Sequence, residues 1–354
     1  MNEFLSELRQ MNDQMNLGDQ SFSEWLKQAK VLKTVSKIPG DASNRKYYRI
    51  QALEKTFILM KMESFADQRD SLPFVVVARH LFSAGVEVPQ ILDLDAERGL
   101  ILLEDLGDVT LLRKLQDVST PDAERHLYER VIDGLVRFQV HASPRSGDQS
   151  LEAFRLRFDY EKLMWEVDFT IEHLYRNYLK RTLTDAAFSQ IRDGFSEICA
   201  FLAEQPTTLT HRDFHSRNVM IAEGVGDGNA RFVMIDFQDA RMGPPHYDLA
   251  SLLKDSYYQL EEVQVTRLMD YYIARYEAES GLEIDRAHFD RVFDLMSVQR
   301  NFKAIGSFAS FMNRRGDPGY LKYIGNTFEN IRKTLLKYPR YSQLREALFF
   351  NYYF

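Results

Sequence analysis

The sequence contains little cysteine, few prolines and no long apolar segment. Cys199 is the only cysteine among 354 residues, which excludes an internal disulfide and a thiolate zinc site. No apolar run approaches the ~20 residues that a membrane-spanning helix needs. With 45% hydrophobic and 27% charged residues, the composition also excludes a disordered or fibrous chain. It is typical of a globular protein of enzyme size.

The chain also lacks an excess of positive charge. Its 45 Lys and Arg residues face 52 Asp and Glu residues, so the net charge is −7 and no global basic field attracts nucleic acid or anionic membranes. The opening segment Met1–Glu7 is polar and acidic, unlike the basic and then apolar start of a signal peptide. We therefore expect a cytoplasmic protein without a nucleic-acid, membrane or obligate protein partner.

Residues 1–105 are predicted to form a small lobe rich in strands. Runs such as Thr56–Met60 and Leu100–Leu103 are short, rich in β-branched and aromatic residues, and bounded by turn residues. This pattern indicates an antiparallel sheet. The capping-box spacing of Ser21–Glu24 predicts a leading helix, and a further helix is predicted over residues 72–83.

Residues 106–354 are predicted to form a larger helical lobe. Long amphipathic segments dominate this part and are interrupted once, by a strand–loop–strand section from Thr208 to Asp239. A short connector near Glu104–Gly107 separates the two lobes. The predicted fold class is therefore α+β, with a small β-rich lobe followed by a larger helical one.

The strand–loop–strand section carries the most informative polar residues. Asp213 and Asn218 lie five residues apart in a loop between apolar segments, and Asp236 ends an apolar strand eighteen residues later. Phosphoryl transfer requires a carboxylate that orients the attacking hydroxyl and accepts its proton, and oxygen ligands that hold magnesium on the phosphates. We assign the first role to Asp213 and the magnesium ligands to Asn218 and Asp236.

These residues also carry a resemblance to a known family. His211–Asn218 together with Ile235–Phe237 resembles the catalytic loop and metal-binding motif of the protein-kinase-like fold. The continuation Gly243–Leu253 resembles the aminoglycoside and choline kinases rather than protein kinases. More narrowly, four stretches resemble the bacterial anomeric kinases of N-acetylmuramate and N-acetylglucosamine: Gly40–Arg49, Leu102–Asp108, His215–Asn218 with Asp236–Ala240, and Gln299–Gly306.

The resemblance implies a bilobal protein-kinase-like fold, the cofactors ATP and Mg²⁺, and a small-molecule sugar substrate. The γ-phosphate would pass to the anomeric hydroxyl of N-acetylmuramate or N-acetylglucosamine, giving a sugar 1-phosphate in peptidoglycan recycling. Two rivals stay open. One is another acceptor, such as an aminoglycoside, choline or a different amino sugar, and the other is a pseudokinase scaffold that binds nucleotide without turnover.

Five residues are assigned to the nucleotide. Ser43 and Asn44 lie in a turn that can present backbone N–H groups to phosphates, and Lys61 follows an apolar strand where related folds place the phosphate-binding lysine. Glu104 and Leu106 of the connector are assigned to adenine through backbone groups, although the Glu104 side chain could instead brace the hinge. The helix after Lys61 lacks the expected acidic partner, which leaves three acids as substitutes: Glu63, Asp67 and Asp70.

Two residues beside the catalytic groups have two interpretations each. Arg217 precedes Asn218 and either neutralises charge on the transferred phosphoryl group or pairs with an acid. Asp239 follows Asp236 by three residues and either braces the catalytic loop or contacts a second magnesium ion. The neighbouring Asp248 is expected to brace the loop, and His211 to be a packed loop histidine.

The acceptor pocket is predicted from two helices. Arg300 and Lys303 lie three residues apart on one helix face, where one of them would meet the lactyl carboxylate of N-acetylmuramate. The alternative is an ordinary solvated surface. Glu166 and Trp165, on the segment from Tyr160 to Leu179, are assigned to the pocket wall because carboxylates and aromatic faces suit sugars.

Overall fold

The N-terminal part of the molecule is a five-stranded antiparallel sheet. The computed structural model describes residues 32–38, 45–52, 55–223 and 230–353. The strand order is β1-β2-β3-β5-β4. The strands are β1 (Leu32–Ile38), β2 (Lys46–Ala52), β3 (Lys55–Lys61), β4 (Ile91–Asp95) and β5 (Leu100–Glu104). The predicted antiparallel sheet is confirmed, and the leading helix predicted at Ser21–Glu24 lies outside the described residues.

One helix packs into the core of this sheet. Helix α1 (Pro73–Ser83) shares a buried apolar cluster with Met60 of β3 and Ile101 of β5. Proline at the first helical position is preorganised for a helix, and Gly85 ends it in the left-handed conformation with φ of 72°. The helix predicted over residues 72–83 is therefore confirmed.

The rest of the described chain is mostly helical. Its longest element is the helix Arg286–Arg315, which is buried along most of its length and packs against four others: Tyr160–Thr170, Asp185–Ala203, His246–Leu253 and Ile324–Leu336. The helices are α2 (Leu111–Gln116), α3 (Pro121–His141), α4 (Glu152–Arg155), α5 (Tyr160–Thr170), α6 (Asp185–Ala203), α7 (His246–Leu253), α8 (Glu262–Ser280), α9 (Arg286–Arg315), α10 (Ile324–Leu336) and α11 (Ser342–Tyr353). Short 3₁₀ turns cover Ala66–Gln68, Leu321–Tyr323 and Pro339–Tyr341. The predicted small β-rich lobe followed by a larger helical lobe is confirmed.

Two small antiparallel ladders interrupt the helices. They are built from β6 (Thr208–Thr210), β7 (Val219–Ala222), β8 (Arg231–Met234) and β9 (Arg241–Gly243). β7 pairs with β8, while β6 pairs with β9. The inner ladder is thus enclosed by the outer one, and the loops 211–218 and 235–240 connect them. This nesting brings the two loops together.

The helix predicted from Tyr160 to Leu179 changes character midway. α5 ends at Thr170, and a π-helix continues over Ile171–Tyr178. The Thr170 hydroxyl bonds to the carbonyl oxygens of Glu166 and Phe302, at 3.0 Å each. Here α9 crosses very closely, because a Cβ added to Gly306 would lie 2.3 Å from Thr170 Oγ1. A glycine is needed for the two helices to approach this closely.

The described helices were also compared with the requirements of a membrane span. Within the described ranges, no helix combines the length and the apolar character needed to cross a bilayer.

Candidate active site

The backbone brings the three predicted catalytic groups to one place. Val219 of β7 lies opposite Met234, the last residue of β8. The N–H of the following residue, Ile235, donates to the carbonyl of Asn218 at 3.0 Å. Asn218 therefore lies beside Asp236. The side-chain amide nitrogen of Asn218 donates to the backbone carbonyl oxygen of Asp213 at 2.9 Å. This bond connects the two ends of the loop.

Two residues of this site have a left-handed backbone. Arg212 has φ of 80° and Asp236 has φ of 67°, and such conformations cost about 1–3 kcal/mol for residues other than glycine. The strain directly precedes Asp213 in one case and falls on the predicted magnesium ligand in the other. The surrounding contacts must stabilise both positions.

A buried carboxylate below the loop supplies part of that stabilisation. Asp248 of α7 accepts hydrogen bonds from the backbone N–H groups of His211, at 2.7 Å, and Arg212, at 3.0 Å. Burial raises the pKa of Asp248 to about 7, although these two N–H donors oppose the shift. The expectation that Asp248 braces the loop is confirmed.

A second buried acid holds the far side of the loop. Asp255 accepts hydrogen bonds from the backbone N–H of Ser216, at 2.9 Å, and from its hydroxyl, at 2.6 Å. Burial raises the pKa of Asp255, and the bonds from Ser216 and the charge of Arg300 counteract this. The catalytic loop is therefore supported at two points.

His211 connects the loop to the neighbouring strand. Its side chain is fully buried, and its Nε2 lies 3.0 Å from the carbonyl oxygen of Ile235. A carbonyl only accepts, so Nε2 carries the proton. Burial lowers the pKa of His211, which favours the neutral ring. His211 is a packed loop histidine, as predicted.

Asp213 forms an ion pair with a residue of the central helix. Lys303 Nζ lies 2.8 Å from Asp213 Oδ1. Burial opposes ionisation of Asp213, but the charges of Lys303 and Arg212 outweigh it and hold the pKa of this carboxyl well below its usual range. About a third of the Asp213 side chain, 34%, stays exposed, so an acceptor hydroxyl can reach it.

Arg300 has a different environment from the one predicted. Its side chain is 3% exposed, and its Nε donates to the hydroxyl of Ser251 at 2.8 Å. Its charge acts on the buried acids Asp248 and Asp255. The alternative of a solvated face is wrong for both Arg300 and Lys303. These contacts support Arg300 as a brace beneath the loop and do not support its assignment to a sugar carboxylate.

Arg217 is positioned by aromatic rings. Its guanidinium carbon lies 5.0 Å from the ring centre of Tyr257 and 5.3 Å from that of Tyr320. Both alternatives for Arg217, phosphoryl neutralisation and pairing with an acid, stay predictions.

On the nucleotide side, the structure describes part of the predicted set. Ser43 and Asn44 lie outside the described residues. Lys61 is the last residue of β3 and stands opposite Leu100 of β5. The acids considered as its partner (Glu63, Asp67 and Asp70) are all exposed, and the role of Lys61 stays a prediction.

The connector is braced from both lobes. Glu104 accepts a hydrogen bond from Arg231 of β8 at 2.5 Å, and Asp105 pairs with Arg49 of β2 at 2.8 Å. The N–H of Glu104 donates to the carbonyl of Gln90, so this N–H is already engaged within the protein. The contacts of the Glu104 side chain match the alternative of a hinge brace.

The Leu106 side chain packs against the protein beneath the connector rather than projecting into solvent. It forms a small apolar cluster with Ala222 and Val233, against which Met220 and Ile235 pack. An apolar surface at the connector, next to Asp236, suits the flat face of an adenine ring. The assignment of Leu106 to the nucleotide stays a prediction.

On the acceptor side, Glu166 is buried at the crossing of α5 and α9. It is 1% exposed, and its Oε2 accepts a hydrogen bond from Gln299 at 3.1 Å. Trp165 is 56% exposed, so it is not a core residue. Asp239 has an exposed side chain whose Oδ1 lies 3.7 Å from Arg212 Nη1, and both of its interpretations stay predictions.

Sequence reasoning missed three cations near Asp213. Lys162, Arg212 and Arg241 each act electrostatically on at least one of the others. Arg212 is visible inside the motif that contains Asp213. Lys162 and Arg241 gave no signal, because only the β6–β9 pairing and the entry into α5 bring them close.

The sequence is similar to a known protein family and to named sugar kinases. The profile of the phosphotransferase enzyme family matches residues 34–287. The chain is 32% identical over 318 residues to the N-acetylmuramate/N-acetylglucosamine kinase of Pseudomonas aeruginosa, covering 87% of this chain and 86% of that protein. A protein of the same name in Neisseria meningitidis is 30% identical over 311 residues, with 87% and 88% covered.

Solved structures resemble the chain in fold. An ADP-bound aminoglycoside phosphotransferase, APH(2'')-Ib, superposes with a TM-score of 0.57 at 15% identity, covering 94% of this chain and 99% of that one. A choline kinase of Cryptosporidium parvum gives a TM-score of 0.60 at 11% identity, with 92% and 96% covered. These likenesses confirm the predicted protein-kinase-like fold.

Proposed function

The chain belongs to the phosphotransferase enzyme family, and on this premise we propose that it transfers the γ-phosphate of ATP to the anomeric hydroxyl of N-acetylmuramate, N-acetylglucosamine or both. The product is a sugar 1-phosphate that serves peptidoglycan recycling in the cytoplasm. The observation that carries this proposal is the convergence of Asp213, Asn218 and Asp236 on two tied loops. The names of the relatives support the choice of sugar.

Asp213 acts on the acceptor. An anomeric hydroxyl is more acidic than an ordinary alcohol, so its oxygen attacks the γ-phosphorus while Asp213 orients it and collects its proton late. The low pKa of Asp213 fits this task, because the carboxylate is ionised at neutral pH and accepts the hydroxyl as a hydrogen-bond donor. Lys303 fixes the carboxylate orientation through its contact with Oδ1.

Asn218 and Asp236 fit a magnesium ion. Carboxylate and amide oxygens are the ligands that Mg²⁺ takes in proteins. The nitrogen of the Asn218 side-chain amide is engaged with Asp213, which leaves the amide oxygen available to a metal ion. A bound Mg²⁺ would neutralise phosphate charge on the nucleotide.

The nucleotide side is completed by residues of the first lobe and the connector. Lys61 at the end of β3 would pair with the α- and β-phosphates, and Ser43 and Asn44 would contact phosphates through their turn. The Glu104 carbonyl and the Leu106 apolar surface would meet adenine.

The electrostatics of the pocket argue against the rival acceptors. Aminoglycosides and choline are cations and require acidic surroundings. Around Asp213 this protein instead places the cations Lys303 and Arg212, and Lys162 and Arg241 lie close enough to Arg212 to interact with it electrostatically. The pseudokinase alternative is disfavoured because the three groups needed for transfer are present together.

The test is steady-state turnover of the full chain with ATP, Mg²⁺ and a panel of acceptors: the two amino sugars, an aminoglycoside and choline. Turnover of an amino sugar with kcat/KM far above that of the cationic acceptors supports the proposal. Turnover of only the aminoglycoside or only choline would contradict it. ATP binding without turnover of any acceptor would favour the pseudokinase.

A further inference from the structure

Three cations from three separate elements meet beside the catalytic loop. Arg241 on β9 lies opposite Thr210 of β6, two residues before Arg212. The N–H of Phe158 donates to the carbonyl of Met242 at 2.9 Å, so the chain entering α5 runs along β9 and places Lys162 in the first turn of that helix. Lys162, Arg212 and Arg241, the cationic cluster, therefore lie close together beside the catalytic loop.

The acids nearby act on these cations electrostatically, but within the described residues they do not form hydrogen bonds with the three side chains. Lys162 Nζ lies 3.8 Å from Glu166 Oε1, and Arg212 Nη1 lies 3.7 Å from Asp239 Oδ1. Both distances are too long for a hydrogen bond. Glu166 Oε1 itself is buried without a hydrogen-bond partner among the described residues.

Arg241 is the least compensated of the three. No carboxylate of the described chain lies within ion-pair distance of its guanidinium, which instead stands 5.3 Å from the ring centre of Phe158. Within the same part of the chain, the Nε atoms of Arg212 and Arg241 are buried and lack an acceptor. A buried donor without an acceptor costs free energy, because it has lost its hydrogen bond to water.

Repulsion within the cluster also affects the pKa values of Lys162 and Arg241. Burial lowers the pKa of Lys162, and the charges of Arg212, Arg241 and Lys303 lower it further against the effect of Glu166. Burial likewise lowers the pKa of Arg241, together with the charge of Arg212. An anion placed among these groups would relieve the repulsion.

We propose that Lys162, Arg212 and Arg241 form a subsite for a carboxylate carried by the acceptor sugar. The inference rests on the proposed function and names the group by which the pocket distinguishes N-acetylmuramate from N-acetylglucosamine. Arg212 directly precedes Asp213. One sugar molecule can therefore place its carboxylate at the cluster and its anomeric hydroxyl at Asp213. Carboxylate recognition thus belongs to this cluster rather than to Arg300.

The test compares two sugars and two variants. Arg241→Gln and Lys162→Gln are assayed with N-acetylmuramate, which carries a carboxylate, and with N-acetylglucosamine, which does not. We expect kcat/KM for N-acetylmuramate to fall by ~10- to 100-fold in each variant, the size of one charge-assisted hydrogen bond, while that for N-acetylglucosamine changes less than about threefold. The control is Arg192→Gln, because Arg192 pairs with Asp168 on another side of α5 and should change neither sugar.

A thermal-shift measurement separates recognition from structure. Removing a charge from a self-repelling cluster should leave the Tm of Arg241→Gln equal to that of the wild type or higher, and N-acetylmuramate should stabilise the wild type more than the variant. Equal losses on both sugars would overturn the inference and assign the cluster to phosphate or to folding, while the proposed function would stand. A wild type that phosphorylates neither sugar would overturn both.

Discussion

Lys303 Nζ donates to Asp213 Oδ1 at 2.8 Å, although the two residues lie ninety positions apart in the sequence. The contact joins the central helix α9 to the catalytic loop. It orients the carboxylate and favours its ionised form against the effect of burial. The central helix therefore favours the ionised state of the proposed base.

Asp213→Asn tests the role of the carboxylate. Asparagine keeps the size but cannot accept the proton, so kcat should fall by ~10²–10⁴-fold, the usual contribution of a general base. Nucleotide affinity, measured by isothermal titration calorimetry, should stay nearly unchanged. As a control, Asp133→Asn on α3 alters an outer ion pair with Arg275 and should retain activity. Retention of most turnover by Asp213→Asn would remove Asp213 from the mechanism.

Lys303→Met should change the pH dependence of the reaction. Burial raises the pKa of Asp213 and Lys303 lowers it, so removing the lysine shifts the pKa upward. The wild-type carboxylate stays ionised well into the acid range, whereas in the variant protonation occurs at higher pH. We expect the acid limb of the kcat/KM profile to move to higher pH in Lys303→Met and to move less in Lys303→Arg. Coincident acid limbs in all three proteins would contradict this account.

Asp236→Ala and Asp239→Ala separate the two acids after β8. Removal of a magnesium ligand should abolish turnover, and added Mg²⁺ should not restore it at ordinary concentrations. Asp239 lies 3.7 Å from Arg212, and as a brace alone its loss should reduce kcat by less than about tenfold. An Asp239→Ala variant as inactive as Asp236→Ala, with a shifted Mg²⁺ dependence, would instead make Asp239 a second magnesium ligand.

Gly306 and Gly325 form a matched pair for stability. A Cβ on Gly306 would meet the Thr170 side chain at 2.3 Å and its Cα at 2.7 Å, so Gly306→Ala should lower stability by ~1–3 kcal/mol. Gly325 in α10 has open space around it, and Gly325→Ala should raise stability by about 0.5–1 kcal/mol. Urea denaturation measures both, and a stable Gly306→Ala would disprove the close crossing of α5 and α9.

The local part of the site could be predicted from the sequence. Asp213 and Asn218 share one loop, and Asp236 ends the paired strand, so spacing alone brings them together. The ion pair of Lys303 with Asp213 could not be predicted, because it depends on how α9 crosses the loop. The burial of Arg300 could not be predicted for a similar reason, since a basic residue at helical spacing does not show that the helix is buried on that side.

The proximity of the residues in the cationic cluster also could not be predicted from the sequence. Arg241 follows Asp236 by five residues and has no partner in its own segment that would mark it. Its proximity to Lys162 results from the pairing of three-residue strands, which have too few residues for a periodic signal. The π-helix over Ile171–Tyr178 is likewise invisible, because its sequence has the same amphipathic pattern as an α-helix.

The position of the phosphate on the product tests most directly whether the anomeric hydroxyl is the acceptor. N-acetylmuramate and N-acetylglucosamine labelled with ¹³C at the anomeric carbon are incubated with the full chain, ATP and Mg²⁺, and the products are examined by ¹³C and ³¹P NMR. We predict that the labelled carbon acquires a coupling to phosphorus, which shows a C1–O–P bond. A phosphorylated product without that coupling, or ATP consumption that leaves both sugars unchanged, would contradict the account.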